Sequence, residues 1–166
     1  MALKPPVSGQ LQIPVNLNRR DFSYYNWVIA LERPILPFFI YTFTLLILAD
    51  LFKIWPDARL YAFAVLIPAV AYLLFVWLST KSLWQKIKAL QEPSTYYFLA
   101  DGYQVVRKKD RANISYDQIK QVLESRKGIY LIRQDGTADI LPKGTASKEA
   151  LSPFFDKKLW RSSSFL

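Results

Sequence analysis

Two long uncharged runs dominate the pattern of apolar and polar positions along the chain. No charged residue interrupts Pro34–Ala49, which has 16 residues, or Leu60–Thr80, which has 21. A helix rises about 1.5 Å per residue and the hydrocarbon core of a bilayer is about 30 Å thick, so the second run is long enough to cross a membrane. The first run needs a short apolar extension to do so. The pattern predicts a transmembrane hairpin with spans at about 34–52 and 60–80.

Two other interpretations fit long apolar runs: buried helices of a soluble protein, or a cleaved signal peptide. A chain of 166 residues would struggle to cover two helices that are apolar on all sides. The first run starts 33 residues into the chain, and no short basic leader or small-residue cleavage pattern precedes it. The sequence therefore favours membrane spans.

The charges that flank the runs predict an orientation. Three basic residues precede the first run and three follow the second: Arg19, Arg20, Arg33, Lys81, Lys86 and Lys88. The link between the runs has two basic and two acidic residues. Because cytoplasmic flanks carry an excess of Lys and Arg, we expect both termini in the cytoplasm and a short outer turn.

The segment before the first run alternates polar and apolar residues over 10–17. This period predicts a half-buried strand, and Pro14 confines it to the edge of a sheet. A single strand is unstable alone, and the candidate sheet lies beyond the second run. The strand can reach that sheet when both termini lie on the same side of the membrane. An aromatic-rich interfacial helix over Asp21–Arg33, capped by Asn18 or Asp21, is expected next.

Residues 81–166 predict a small antiparallel β domain. Asp101-Gly102 and Asp135-Gly136 are hairpin signals between short apolar segments. With the N-terminal strand, the pattern gives six or seven strands, and a closing helix over Ser147–Leu159 has Ser147 as its cap. The predicted fold class is membrane α+β, with three parts: an edge strand and interfacial helix at 1–33, a transmembrane hairpin at 34–80, and a β domain at 81–166.

Several short segments of the chain also follow a known pattern. Tyr116–Val122 reads aromatic-x-x-Ile-x-x-Val, Gly128–Leu131 follows it, and Ile140–Lys143 ends in Pro-Lys. Together with Asn18–Tyr25, these segments resemble the YcxB-like family of bacterial membrane proteins. The resemblance implies two helical spans, a pleckstrin-homology-like C-terminal domain and a place in the bacterial inner membrane. It implies no reaction, because the family has none assigned.

The composition restricts the possible chemistry. The chain has no Cys and no His, which excludes disulfides, thiolate nucleophiles, Cys-bearing zinc sites and the commonest general base. Its five Gly residues form no cluster that could cradle a phosphate. We expect no catalytic residue, no cofactor and no metal. The enzyme alternative would require a concave pocket where carboxylates, Tyr or Lys converge.

Basic residues are concentrated in the β domain. Residues 81–166 carry 16 basic and 9 acidic side chains, out of a net charge of +9 for the whole chain. The densest group, Arg107, Lys108, Lys109 and Arg111, lies at a predicted hairpin tip. Basic groups beside a membrane attract anionic lipid, so we expect this tip to contact anionic lipid or an acidic partner. The alternative is a solvated turn that keeps a sheet edge soluble.

The basic balance alone does not indicate nucleic-acid binding. The isoelectric point is about 9.7, but the sequence has no helix-turn-helix, zinc or RNP-type signal. We therefore expect a non-catalytic, membrane-anchored binding or regulatory module that presents its cytoplasmic domain to a protein partner or anionic lipid. The alternative is an accessory subunit of a larger membrane complex, with the two spans as its main interface.

Overall fold

The computed structural model describes residues 11–87, 91–108 and 110–163, and these form an α+β fold. The helices are α1 (Arg19–Glu32), α2 (Ile35–Leu51), α3 (Ala58–Lys86) and α4 (Lys148–Leu151). The strands are β1 (Leu11–Val15), β2 (Ser94–Phe98), β3 (Gly102–Arg107), β4 (Arg111–Ser115), β5 (Ile119–Ser125), β6 (Gly128–Arg133), β7 (Ala138–Pro142) and β8 (Trp160–Ser162). Thus β1 and α1 precede the long helices, and every other strand follows them.

The strands form two four-stranded sheets. Sheet 1 has the order β1-β2-β3-β4 and is antiparallel throughout. Sheet 2 has the order β7-β6-β5-β8, in which β5 and β8 are parallel. The predicted antiparallel pairing is therefore confirmed except between β5 and β8, and the eight described strands exceed the six or seven predicted. The extra strand, β8, has only three residues and carries no alternation that sequence inspection could detect.

The predicted N-terminal edge strand is confirmed. Leu11 pairs with Phe98 and Val15 pairs with Ser94, so β1 lies at the edge of sheet 1. Ile13 and Val15 are buried, as the alternation indicated. A strand that precedes the long helices is thus joined to one that follows them.

Sheet 2 is buried on both faces. Its inner face packs against sheet 1, where Phe98, Tyr103 and Leu131 are fully buried. Its outer face is covered by α1, which Asn18 caps by accepting a 2.9 Å hydrogen bond from the Asp21 amide. The aromatic residues that predicted an interfacial helix contribute to this contact: the ring of Tyr25 lies 5.1 Å from that of Tyr130.

The two long apolar helices, α2 and α3, follow α1 in the chain. A 52° bend separates α1 from α2, and α2 then packs side by side with α3. Among the described residues, α3 alone is long and apolar enough to cross a membrane, and α1 with α2 passes the same criterion as a bent pair. The predicted span at about 60–80 lies within α3, which continues beyond it to Lys86.

The predicted C-terminal helix over Ser147–Leu159 was wrong. Ser147 caps a helix as expected, its Oγ accepting from the Ala150 amide at 3.2 Å, but α4 has only four residues. Pro153 has no amide hydrogen to donate, which ends the helix. The chain then forms a 3₁₀ turn over Lys157–Leu159 and enters β8. Apolar residues of this segment nevertheless pack in the core, where Leu151 and Phe155 are buried.

Candidate functional site

One continuous part of the molecule carries the exposed apolar surface. Within the described residues, every exposed large apolar side chain lies between Ile35 and Ile87, on α2, α3 and the turn that joins them. Phe38 is 63% exposed and Ile67 is 72% exposed. Soluble monomers rarely expose apolar patches of this extent. This surface therefore requires a cover of lipid or protein.

The strand register places the basic hairpin at a particular end of sheet 1. Val15 pairs with Ser94, and Ser94 pairs with Arg107. From Val15 the chain continues into α1, and at Ser94 it has returned from α3. The β3–β4 turn thus lies at the end of sheet 1 that is connected to the helices, which we call the helix-proximal end.

The structure divides the predicted basic group between two faces of sheet 1. Arg107 follows Tyr103 and Val105 on the inner face, and its side chain is only 20% exposed. Arg111 pairs with Val106 on the outer face and is exposed, as is Lys108 in the turn. Lys109 lies outside the described residues. Lys108 and Arg111 are therefore the described members of the group that can meet a partner.

Arg107 instead lines a polar cavity between the two sheets. The cavity has a volume of about 220 Å³ and opens beside the end of β3 and the start of β7. Glu92, Arg133 and Asp135 also line it, so charges of both signs are present. Asp139, which is only 4% exposed, also lines the cavity.

Three side chains from three other strands meet at Asp139. Tyr103 donates its hydroxyl to Oδ2 at 2.5 Å, and Tyr96 donates to Oδ1 at 3.3 Å. Arg133 donates to Oδ2 from Nε at 3.1 Å and from Nη2 at 2.5 Å. We call these four residues the Asp139 cluster. The two tyrosines belong to sheet 1, whereas Arg133 and Asp139 belong to sheet 2, so the cluster joins the sheets.

The electrostatics of the cluster keep both tyrosines and Arg133 protonated. Burial raises the pKa of Tyr96 and of Tyr103 well above the usual range, and the nearby Asp139 carboxylate raises both pKa values further. Burial lowers the pKa of Arg133, but the charge and hydrogen bonds of Asp139 outweigh this effect and raise it. The cluster is thus an ion pair with two neutral phenols. Both Asp139 oxygens accept from protein donors, an arrangement that suits cohesion between the sheets.

The sequence pattern did not mark Asp139 as a functional residue. Asp139, Ile140 and Leu141 are all buried in β7, because sheet 2 is covered on both faces. A strand that is buried on both faces shows no alternation of polar and apolar residues. The sequence pattern of β7 therefore does not reveal which way Asp139 faces. The position of Asp139 in a short apolar segment, Ala138–Leu141, was the available signal.

Comparison with known proteins bears on the β domain. Residues 98–159 match the model of the family described as YcxB-like protein. The matched segment runs from the last residue of β2 to the 3₁₀ turn before β8, and it includes three members of the Asp139 cluster. No curated protein and no solved structure matches the chain. The match supports the predicted resemblance to this family over the β domain.

We predict that Asp139→Asn destabilises the β domain. The substitution keeps the size of the side chain but leaves the partly buried Arg133 guanidinium without its counter-charge. We expect the free energy of unfolding to fall by about 2–3 kcal/mol, below the full cost of breaking a buried pair because Arg133 is partly exposed. Urea titration of the purified protein in a mild detergent, followed by near-ultraviolet circular dichroism, measures this change.

The control is Asp117→Asn, which makes the same change on an exposed residue of the 3₁₀ turn over Tyr116–Gln118. Its free energy of unfolding should stay within about 0.5 kcal/mol of the native value. Equal stabilities for the two variants would show that the Asp139 cluster does not hold the sheets together.

We further predict that stability falls at alkaline pH. An unfolded Tyr titrates near pH 10, whereas burial and Asp139 raise the pKa of Tyr96 and Tyr103 in the folded protein. Above pH 10 the unfolded chain loses protons that the folded chain keeps, so the free energy of unfolding decreases as pH rises. Urea midpoints at pH 8 and pH 11 should show the decrease. Titration of all ten Tyr residues near pH 10, with the native dichroism intact, would contradict it.

Proposed function

We propose that this protein is a non-catalytic, membrane-anchored binding module of the bacterial inner membrane. In this proposal α2 and α3 cross the membrane as a hairpin with both termini in the cytoplasm. The β domain, which we propose is pleckstrin-homology-like, presents Lys108 and Arg111 to an acidic surface at the cytoplasmic face. That surface is either anionic lipid or an acidic segment of a protein partner.

The confinement of exposed apolar side chains to Ile35–Ile87 is the observation that carries the proposed anchor. The pairing of β1 with β2 adds a topological argument, because these strands lie on either side of the helices in sequence and share one sheet. A chain that crossed the bilayer once could not form that pair. If α3 crosses, a second crossing through α2 must accompany it.

Aromatic pairs support a bilayer position for the hairpin. The rings of Trp55 and Tyr61 lie 5.2 Å apart near the turn, and Lys81 Nζ lies 5.9 Å from the ring of Trp77. Trp and Tyr favour the membrane–water interface. Tyr61 and Trp77 are 16 positions apart on α3, a rise of about 24 Å, so the two rings lie near the opposite boundaries of a hydrocarbon core of about 30 Å.

The position of the basic turn supports the proposed binding surface. Lys108 and Arg111 are exposed at the helix-proximal end of sheet 1, the end from which the chain runs to the anchor. A basic side chain near an anionic leaflet gains about 1 kcal/mol. Residues 98–159 match the YcxB-like family. The resemblance to this family implies no reaction, which agrees with a proposed binding role.

The accessory-subunit alternative uses the same apolar surface differently. In that case another chain, rather than lipid alone, would cover parts of α2 and α3. A stable protein companion that does not depend on Lys108 and Arg111 would favour this alternative. The experiment on the basic turn is designed to separate the two.

We predict that the native chain resists extraction from membranes by alkaline carbonate. Ile67 and Val70 are exposed near the middle of α3, and each charge placed there costs about 2.5–3.5 kcal/mol of insertion free energy. The variant Ile67→Glu/Val70→Glu should therefore be released or degraded. Matched glutamates on the β domain, Gln118→Glu/Lys120→Glu, should leave the protein in the membrane pellet. Release of the native chain by carbonate would overturn the anchor.

We predict that Lys108→Gln/Arg111→Gln weakens binding of the acidic partner. Removing two cations that each contribute about 1 kcal/mol lowers affinity roughly thirtyfold. The measurement is purification from the native membrane in a mild detergent, with mass spectrometry of the retained lipid and protein. The control, Lys157→Gln/Lys158→Gln, removes two exposed charges elsewhere on the β domain.

The identity of the lost component names the partner: anionic lipid or an acidic protein. Equal retention by the native chain and both variants would remove the basic turn from the binding surface. A protein companion retained equally by all three would assign the interface to the helices instead.

A further inference from the structure

A second cavity lies between α1 and the later half of α3. Helix α1 runs back along α3: the ring of Phe22 lies 5.6 Å from that of Trp84, and the Tyr72 hydroxyl donates to the Ala30 carbonyl at 3.3 Å. Between these two contacts the helices leave a groove of about 660 Å³. This volume falls within the usual range of ligand sites, about 300–1,000 Å³.

The lining of the groove changes from apolar to polar along α3. Phe75 and Leu78, both more than half exposed, line its apolar part. The hydroxyl residues Ser79 and Ser82 follow within the next turn. The groove thus spans the point where α3 passes from its uncharged run to its polar end.

Two cations line the groove, and the described residues that line it include no carboxylate. Arg33 lies on the α1 side and Lys86 at the end of α3, and both are exposed. The neighbouring acid Glu32 accepts a 2.8 Å hydrogen bond from Ser163 Oγ and is not part of the lining. The groove therefore has a positive rim beside an apolar wall.

We propose that this groove binds one anionic phospholipid. The first part of an acyl chain lies against Phe75 and Leu78, and the negatively charged headgroup meets Lys86 and the serine hydroxyls. Arg33, at the Ala30 end of the groove, adds to its positive potential. The groove and a phospholipid are complementary in both polarity and charge, because a phospholipid carries its apolar chains next to its negatively charged phosphate. The inference rests on the proposed anchor, since the groove meets lipid only when the hairpin is inserted.

A lipid bound in this groove would connect the proposed anchor to the β domain. Its two walls are α1, which packs on sheet 2, and α3, which emerges from the membrane. A lipid held between them adds contacts to both walls at once. It therefore couples the lipid composition of the leaflet to the packing of the β domain on its anchor.

The test uses the full-length chain reconstituted in phosphatidylcholine vesicles that contain a minor fraction of phosphatidylglycerol. After extraction in a mild detergent, mass spectrometry measures the phosphatidylglycerol retained per chain. We expect retention that exceeds the share of this lipid in the vesicles. In Arg33→Gln/Lys86→Gln, the affinity for phosphatidylglycerol should fall roughly thirtyfold, because two favourable charges of about 1 kcal/mol each are lost, and retention should fall to the share of this lipid in the vesicles.

The matched control is Lys53→Gln/Arg59→Gln, which removes two cations at the turn between α2 and α3. This variant should retain phosphatidylglycerol as the native chain does. A second variant, Ser79→Phe, fills the groove without changing its charge and should also lose the lipid. Near-ultraviolet circular dichroism verifies that each variant is folded.

The results separate failure of this site from failure of the proposed function. Equal retention by the native chain and the Arg33→Gln/Lys86→Gln variant, or no preference for phosphatidylglycerol, overturns the groove site while the anchor stands. Loss of lipid only in Lys108→Gln/Arg111→Gln also overturns it and assigns the lipid to the basic turn. Release of the native chain by carbonate overturns the anchor itself, and the groove site with it.

Discussion

The pairing of β1 with β2 is the constraint on which the rest of the structure depends. β1 precedes the apolar helices and β2 follows them, yet Ile13 pairs with Tyr96 and both are buried in the same core. The helices between β1 and β2 must therefore begin and end at the same β domain. If α3 crosses a membrane, α2 must cross it too, because a crossing by α3 alone would leave β1 and β2 on opposite sides.

The same constraint explains why the helices and the β domain share packing. Helix α1 covers the outer face of sheet 2 with Phe22 and Val28, and Phe22 also meets Trp84 on α3. The Asp139 cluster holds sheet 1 to sheet 2 from within. Contacts thus continue from α3 through α1 and sheet 2 to sheet 1. The position of the basic turn relative to α3, the helix of the proposed anchor, follows from these contacts.

Local signals in the sequence predicted the elements that depend on local pattern. Alternation identified β1, and the uncharged run after Arg59 identified most of α3. Features that depend on distant partners were missed. A helical pattern after Ser147 concealed the break at Pro153, and the division of the basic group depends on the register that turns Arg107 inward. The role of Asp139 was missed because the three side chains that bind it come from other strands.

The most direct test of the hairpin is cysteine labelling in spheroplasts, since the chain has no Cys of its own. Ile54→Cys lies in the turn between α2 and α3, where the native side chain is 77% exposed, and Lys120→Cys lies at an exposed position of β5. We predict that a membrane-impermeant maleimide labels Ile54→Cys in intact spheroplasts and Lys120→Cys only after lysis. Equal labelling of the two positions before lysis would contradict the hairpin.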